Sequence, residues 1–248
     1  MIKVLVFGSN GKMGGHVRSF LSKSDKAELF CGVDVLATGD ENYPCYKSLD
    51  DVQGTPDIII DFSFHRLIGG LLDYAVAKNI PVIIATTGFD DSEKELIKKA
   101  SEKIAIFWSS NMSLGIPLLV DFAKKTAEVF PDADIEIVET HHNRKVDAPS
   151  GTALMLAEGV KKARPDCEFV YGRSGESKRR KQDVGIHALR MANIVGEHQV
   201  LVTTDTQQIV LKHTAYDRAL FADGAVSVVP FMIGKPCGIY DMNDYING

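Results

Sequence analysis

Residues 139–152 read Glu139-Thr140-His141-His142-Asn143-Arg144-Lys145-Val146-Asp147-Ala148-Pro149-Ser150-Gly151-Thr152, which puts two imidazoles, a guanidinium and an ammonium within five residues. An imidazole titrates near ~6.5 in model peptides, so it gives or takes a proton at low cost near neutral pH. Ser150-Gly151-Thr152 has the composition of a helix start. There, unpaired backbone N–H groups and the positive end of the helix dipole attract a carboxylate or similar small anion. Gly151 lets a ligand approach the backbone closely. The predicted ligand is a small anion that takes up a proton during its reaction. A solvated histidine pair or half of a zinc site would use the same two imidazoles. Zinc takes three or four ligands at suitable spacing, and the chain has neither Cys-x-x-Cys nor a second His cluster so spaced, so no metal is expected.

Such side chains need a scaffold. Residues 134–139 alternate acid and β-branched side chains, the period-two pattern of a half-buried strand, and residues 152–162 carry Ala, Leu and Met at helical spacing. The reactive run is thus expected in a strand-to-helix loop.

The N-terminal stretch has its own chemistry. A compact apolar strand over 2–7 leads into Gly8-Ser9-Asn10-Gly11-Lys12-Met13-Gly14. A helical pattern through Val17, Phe20 and Leu21 follows, and a second strand over 28–33 ends at Asp34, 26 positions after Gly8. Strand, glycine turn, helix, strand, acid is the order of a dinucleotide-binding unit. Small residues let the backbone reach the pyrophosphate, which rests on the helix N-terminus. Gly8, Ser9, Asn10, Gly11, Lys12 and Met13 are therefore expected to cradle the cofactor, with Asp34 accepting hydrogen bonds from ribose hydroxyls. The spacing is G-x-x-G-x-x-G rather than the usual G-x-G-x-x-G. Asp34 is followed by Val35 and not by an arginine that would offset the extra phosphate of NADP. NADH is expected to be used at least as well as NADPH, unless Lys47 or another distant base intervenes.

Strands and helices then alternate: strand 57–62, helix 67–78, strand 81–85, helix 91–102, strand 104–108. Small polar clusters stand at the strand ends, where ligands sit in open parallel sheets. His65 is read as a loop residue beside the cofactor. A long helix follows over 115–130, with Ile116, Leu119, Phe122, Ala123, Thr126 and Phe130 on one face and Pro117 in its first turn. Afterwards the texture changes to strands at 135–140, 185–190, 199–204 and 208–213. Residues 171–181, basic and glycine-containing, read as a mobile loop, and 221–232 as a helix. The fold expected is α/β: a Rossmann-type parallel sheet domain, plus a second α+β domain with a mixed or antiparallel sheet. The division expected is 1–112 with 221–248 for the dinucleotide and 113–220 for substrate and oligomerisation.

Composition narrows the function classes. The chain has 248 residues and a net charge of −5, so nothing favours a nucleic-acid partner, and its one dense basic run is Lys178-Arg179-Arg180-Lys181. That run could also steer an anionic substrate. Cys31, Cys45, Cys167 and Cys237 are scattered and read as free thiols of a reducing compartment. No apolar stretch approaches the ~20 residues of a membrane span, so a cytoplasmic protein is expected.

The string 136–153, Glu-Ile-Val-Glu-Thr-His-His-Asn-Arg-Lys-Val-Asp-Ala-Pro-Ser-Gly-Thr-Ala, resembles the signature of the 4-hydroxy-tetrahydrodipicolinate (dihydrodipicolinate) reductases of the diaminopimelate and lysine pathway. The likeness extends to the glycine turn, to Ile194-Val195-Gly196-Glu197-His198 and to the stretch around Arg218. Met191-Ala192-Asn193 departs from it, standing where the family commonly has glycine. The resemblance implies His141 as general acid/base and Lys145 as cationic proton donor. It implies that His142, Ser150, Gly151 and Thr152 grip a substrate carboxylate, with help from Arg144 unless that residue pairs with an acid such as Asp147. It further implies Ala85, Thr86, Thr87, Ser109, Ser110, Asn111 and Met112 along the nicotinamide, use of NADH or NADPH by many members, and a homotetramer joined through the second domain's sheet. The string 194–198 reads as a strand turn without a catalytic role, and Arg218 as facing either a ligand or the surface. Two other readings stand beside this one: an aldehyde dehydrogenase of the semialdehyde type, which needs a nucleophilic cysteine, and a non-catalytic NAD-binding sensor.

Overall fold

The computed structural model describes residues 1–109 and 111–248. In chain order the strands and helices are β1 (Ile2–Phe7), α1 (Lys12–Leu21), β2 (Ala27–Val33), β3 (Cys45–Tyr46), β4 (Ile58–Asp61), α2 (Ile68–Lys78), β5 (Val82–Ile84), α3 (Asp91–Ser101) and β6 (Ala105–Trp108). They continue as α4 (Gly115–Val129), β7 (Asp134–His141), α5 (Gly151–Ala163), β8 (Glu168–Tyr171), β9 (Asp183–Arg190), β10 (Gly196–Thr203), β11 (Gln208–Ala215), α6 (Ala219–Met232), β12 (Gly238–Tyr240) and α7 (Met242–Asn247). The chain divides into two compact units, Met1–Ser113 with Ala219–Gly248, and Leu114–Arg218.

The first unit is built on a seven-stranded parallel sheet ordered β12-β6-β5-β4-β1-β2-β3. Its inner strands are near-continuous apolar runs, because a parallel sheet is covered by helices on both faces. Val4, Leu5, Val6 and Ile58 to Ile60 are all inaccessible. The chain starts in the middle of the sheet, winds outward to β3, then returns beside β1 as β4. That reversal between β1 and β4 leaves a crevice at the strands' carboxyl ends, the place where open α/β sheets bind ligands. Helix α3 opens with a reciprocal cap between Asp90 and Glu93.

The second unit is a five-stranded mixed sheet ordered β11-β10-β7-β9-β8. Strand β7 lies at its centre, antiparallel to β10 and parallel to β9. Leu119, Ala123 and Ala127 of α4 and Leu156, Ala157 and Val160 of α5 pack on one face, against Ile135, Ile137, Val184, Val200 and Val202. The sequence reading placed Phe122 and Thr126 on that inner face of α4. Phe122 is instead half exposed, because the buried stripe runs 116, 119, 123, 127 and leaves position 122 to one side.

The short edge strands β3, β8 and β12 and the terminal helix α7 were not legible in the sequence, having two to six residues each. The 194–198 string, read as a turn, contributes the first residues of β10. The segment expected to be a mobile loop is clasped by ion pairs: Arg179 to Asp134 at 2.9 Å, Arg180 to Asp183 at 2.9 Å and Lys181 to Asp132 at 2.7 Å.

Candidate active site

In the first unit Gly8 ends β1 with φ +82°, and a Cβ there would lie 2.5 Å from the Phe62 carbonyl oxygen. A Cβ on Gly14 would come 2.2 Å from the Gly8 carbonyl oxygen. Both positions therefore require glycine, so that α1 packs directly on the turn. Gly11 stands at the N-cap of α1 without a side-chain cap, and Lys12 and Met13 form the first helical positions. The residues thus fit a pyrophosphate: a tight turn, backbone exposed through lack of side chains, and an uncapped helix start.

Asp34 is nearly buried, and its carboxylate accepts N–H bonds from Asn10 and Leu36, each at 2.9 Å. Asn10 is locked further: its amide donates to Glu41 at 2.9 Å and accepts from the Tyr43 hydroxyl at 2.5 Å. The Thr38 N–H, then the Asn10 amide, hold the Glu41 carboxyl down at about 2, so this group is anionic at any working pH. Glu41 escaped the sequence reading because only the fold of its loop returns it to the glycine turn. Ser9 is buried, with its hydroxyl 3.4 Å from the Cys45 sulfur.

A groove of about 700 Å³ is lined by Phe7, Val35, Leu49 and Tyr74 and by the charged Lys47 and Asp73, so a base does stand beside Val35. Ala85 and Thr86 are buried at the end of β5 and Thr87 is exposed. Burial pushes the Asp61 carboxyl up at the end of β4, while Ser63 donates its N–H to that group at 2.9 Å. Ser109 donates its hydroxyl to the Asn111 carbonyl at 2.8 Å, and Met112 is buried. Ser110 lies outside the described residues. His65 is held on Glu93 at 2.8 Å by Nδ1.

The reactive run of the second unit closes around one carboxylate. The alternation of β7 changes phase at Val138-Glu139, so Glu139 falls on the same inward face as Ile135 and Ile137 and is 0% exposed. Its Oε2 accepts from His141 Nδ1 at 2.6 Å and from Arg190 at 2.9 Å. Its Oε1 accepts from the other Arg190 nitrogen at 2.9 Å and from the Ser150 N–H at 3.0 Å. Burial alone would raise this carboxyl; the Arg190 bonds, with those of His141 and Ser150, outweigh it and hold the group below the usual carboxylate range.

Ser150 is the N-cap of α5 and its hydroxyl accepts the Ala153 N–H at 3.2 Å. The same hydroxyl meets His198 Nε2 at 3.1 Å. Burial, then the neighbouring His141, push His198 down to about 3, so it stays neutral. Its ring stands edge-on to that of His141, with centroids 5.1 Å apart. His198 is a member of this cluster that the sequence reading left without a role.

Around this buried group lie the cations. Lys145 pairs with Asp147 at 2.8 Å, and Arg144 donates to Asn193 at 2.9 Å. The expected alternative pairing of Arg144 with Asp147 is therefore replaced by Lys145 with Asp147. His142 is pushed down by desolvation and then by the charges of Arg144, Arg218, His141 and Lys145. Its Nδ1 is enclosed without a hydrogen-bond partner among the described residues. A Cβ on Gly151 would meet nothing within 4 Å, so space is open beside the start of α5. Ala192 adopts φ +44° in the turn between β9 and β10.

Family models decide what this arrangement belongs to. The model for the dihydrodipicolinate reductase N-terminus matches residues 2–112, and that for the C-terminus matches residues 115–246. The chain belongs to the dihydrodipicolinate reductase family. It is 42% identical over 248 residues to the 4-hydroxy-tetrahydrodipicolinate reductase of Caldanaerobacter subterraneus subsp. tengcongensis, covering 99% of this chain and 98% of that protein. It is 41% identical over 252 residues to that of Clostridium tetani, covering 100% and 98%. The dipicolinate-bound dihydrodipicolinate reductase of Paenisporosarcina sp. TG-14 superposes with a TM-score of 0.79 at 26% identity, over 99% of each chain.

The chain is thus an oxidoreductase of the dihydrodipicolinate reductase family, with a pyridine-nucleotide fold in its first unit, and serves the diaminopimelate and lysine route. The semialdehyde-type reading fails on this membership. Of the thiols, burial pushes Cys31 up to about 12 and raises Cys167, so neither of these two is a ready nucleophile.

Proposed function

We propose that the chain reduces 4-hydroxy-tetrahydrodipicolinate to tetrahydrodipicolinate with NADH or NADPH, His141 acting as general acid/base and Lys145 as cationic proton donor. The observation that carries this reading is the His141 ring, fixed by a buried carboxylate through one nitrogen, in the same loop as Lys145 and the open start of α5. The dicarboxylate substrate is a cyclic imine or its dehydrated conjugated form. Loss of the 4-hydroxyl as water gives the conjugated form, and a bound nicotinamide would supply a hydride to the ring carbon conjugated with the imine.

In the second unit, His142 with its bare Nδ1, Gly151 and Thr152 would hold a substrate carboxylate. Ser150 contributes by capping α5, since its hydroxyl and N–H already serve Ala153, His198 and Glu139. Lys145 exchanges Asp147 for the incoming anion, and protonation of the enamine follows. A helix N-terminus, two cations and neutral imidazoles suit an anionic ligand that becomes protonated.

In the first unit the glycine turn would carry the pyrophosphate, Asp34 the ribose, and the groove starting at Val35 the adenine. Asp34 and the anionic Glu41 favour NADH over NADPH, since a 2′-phosphate would meet carboxylates. On the outer face of the second sheet the exposed Val210 stands opposite Leu201, with exposed Leu189 farther along that face, and a homotetramer closed through it would cover them. We place the protein in the cytoplasm on its pathway.

The test is a coupled assay in which the imine is generated by its synthase and NADH and NADPH consumption are followed. A non-catalytic NAD sensor would bind NADH and show no oxidation. Efficient turnover with a kcat/KM for NADH at least equal to that for NADPH is expected, and a strong NADPH preference would remove the cofactor assignment. Chelators should leave the rate unchanged. Light scattering reads the oligomer.

A further inference from the structure

The inward face of β7 reads Ile135, Ile137, Glu139. A third aliphatic residue would satisfy the core, whereas a buried charge is costly unless every lone pair finds a donor. Here every one does: two nitrogens of Arg190, the Ser150 N–H and His141 Nδ1 share the two oxygens. An ionised carboxylate only accepts, so His141 must carry its proton on Nδ1 when it faces Glu139. Nε2 is then the bare nitrogen of the neutral ring. It has no hydrogen-bond partner among the described residues and lies over Gly196, where a Cβ would stand 3.1 Å away.

The Arg190 fork comes from β9, and it also donates to the Asp147 carbonyl oxygen at 2.6 Å. The carboxylate therefore ties together the end of β7 with its imidazole, the N-cap of α5 and, through Arg190, β9 and the loop bearing Lys145 and Asp147.

We infer that Glu139, held by Arg190, is the positioning residue of this site: it fixes the tautomer and orientation of His141 so that Nε2 is the nitrogen that exchanges a proton with the substrate. The inference rests on His141 being the acid/base of the proposed reaction. It separates two roles that burial would otherwise merge, because a carboxylate that merely bridged β7, β9 and α5 would not care which ring nitrogen is protonated.

The wild-type enzyme provides the first measurement. Long-range proton–nitrogen correlation of histidine-labelled protein, above the pH at which the ring is charged, reports the tautomer, and loss of one signal set in His141→Gln assigns it. The Nδ1–H form is expected; the Nε2–H form, or an even mixture, overturns the inference.

The second measurement uses Glu139→Gln. A glutamine accepts from Arg190 through its oxygen but turns an N–H₂ toward His141, which forces the ring to the Nε2–H form. The expected loss in kcat is about 10² or more, by the tautomer argument known from serine-protease triads, with KM and NADH affinity little changed. The same substitution made on His141→Ala should change kcat less than about threefold, since two residues that act as one unit are not additive. An equal loss on both backgrounds means a structural effect and overturns the inference. Should Glu139→Gln fail to fold, the wild-type tautomer decides alone. Wild-type turnover in His141→Ala would sink the proposed chemistry, whereas a dead His141→Ala with an Nε2–H wild-type ring would sink only the role of Glu139.

Discussion

His198 makes the site sensitive to acid. Its folded-state pKa lies at about 3, below the ordinary ~6.5 of histidine, because burial disfavours the charged ring. Between those values the unfolded chain binds a proton that the folded one refuses. Its contribution is therefore fully present above ~6.5 and is lost as pH falls toward 3, by up to about 1.4 kcal/mol per pH unit. Urea unfolding midpoints of the wild type should fall from pH 7 to pH 4 more steeply than those of His198→Gln, which keeps a group to meet Ser150. Parallel curves would mean that the ring does charge in the folded protein. Glu139 works with the same sign in a lower window, since its depressed carboxyl stabilises above the ordinary range and is lost as pH falls through its folded value.

His141→Ala and Lys145→Ala should each lower kcat by about 10² to 10⁴ in the coupled assay. Asp147→Ala should cost less than about 1 kcal/mol in denaturant melts, because the Asp147 side chain is 60% exposed and its pair with Lys145 is screened by water from that side. Of these residues, the sequence presented His141 and Lys145 by type and spacing. Glu139 was visible only as one more acid in an alternating strand, although the break in phase at Val138 was already written there.

At the scale of elements, the turn between β9 and β10 offers a clean test. Ala192 sits at φ +44° between Met191, whose N–H bonds the His141 carbonyl oxygen at 2.8 Å, and Asn193, which receives Arg144. A non-glycine residue in this region costs roughly 1–2 kcal/mol, against roughly 0.5–1 kcal/mol for the greater freedom that glycine loses. Ala192→Gly should therefore stabilise by up to about 1 kcal/mol in thermal melts and leave kcat within about twofold. A clear destabilisation would show that the methyl group packs favourably enough to hold the turn.

Long periodic elements were legible because burial writes 3.6- or two-residue repeats over many positions. β3, β8 and β12 were not, because two to four residues carry no period and are recruited by a neighbour's edge. The same limit misplaced Phe122: one-face arguments over four turns accumulate an angular drift that only packing resolves.

For the whole molecule, the proposed function gives cofactor and proton chemistry separate owners. Asp34, Glu41 and the glycine turn belong to the first compact unit, and His141, Lys145, Glu139 and His198 to the second. NADH at a hundredfold excess over its Kd should add about 2.7 kcal/mol of stability. That thermal shift should persist in His141→Ala and Lys145→Ala, and NADPH at equal concentration should give a smaller one. Loss of the NADH shift in either variant would mean that these residues also shape the nucleotide site.

The sequence by itself determined the family, the strand–glycine–helix–strand order of the first unit and the reactive loop of the second, since these rest on local residue types and short spacings. The tertiary structure decided which polar groups meet. Arg190 reaches Glu139 across 51 positions, His198 reaches Ser150 across 48 and Glu41 reaches Asn10 across 31. Such partners are chosen by strand register and loop closure. For Arg190 and Glu139, Coulomb attraction becomes strong only after the fold has removed the water.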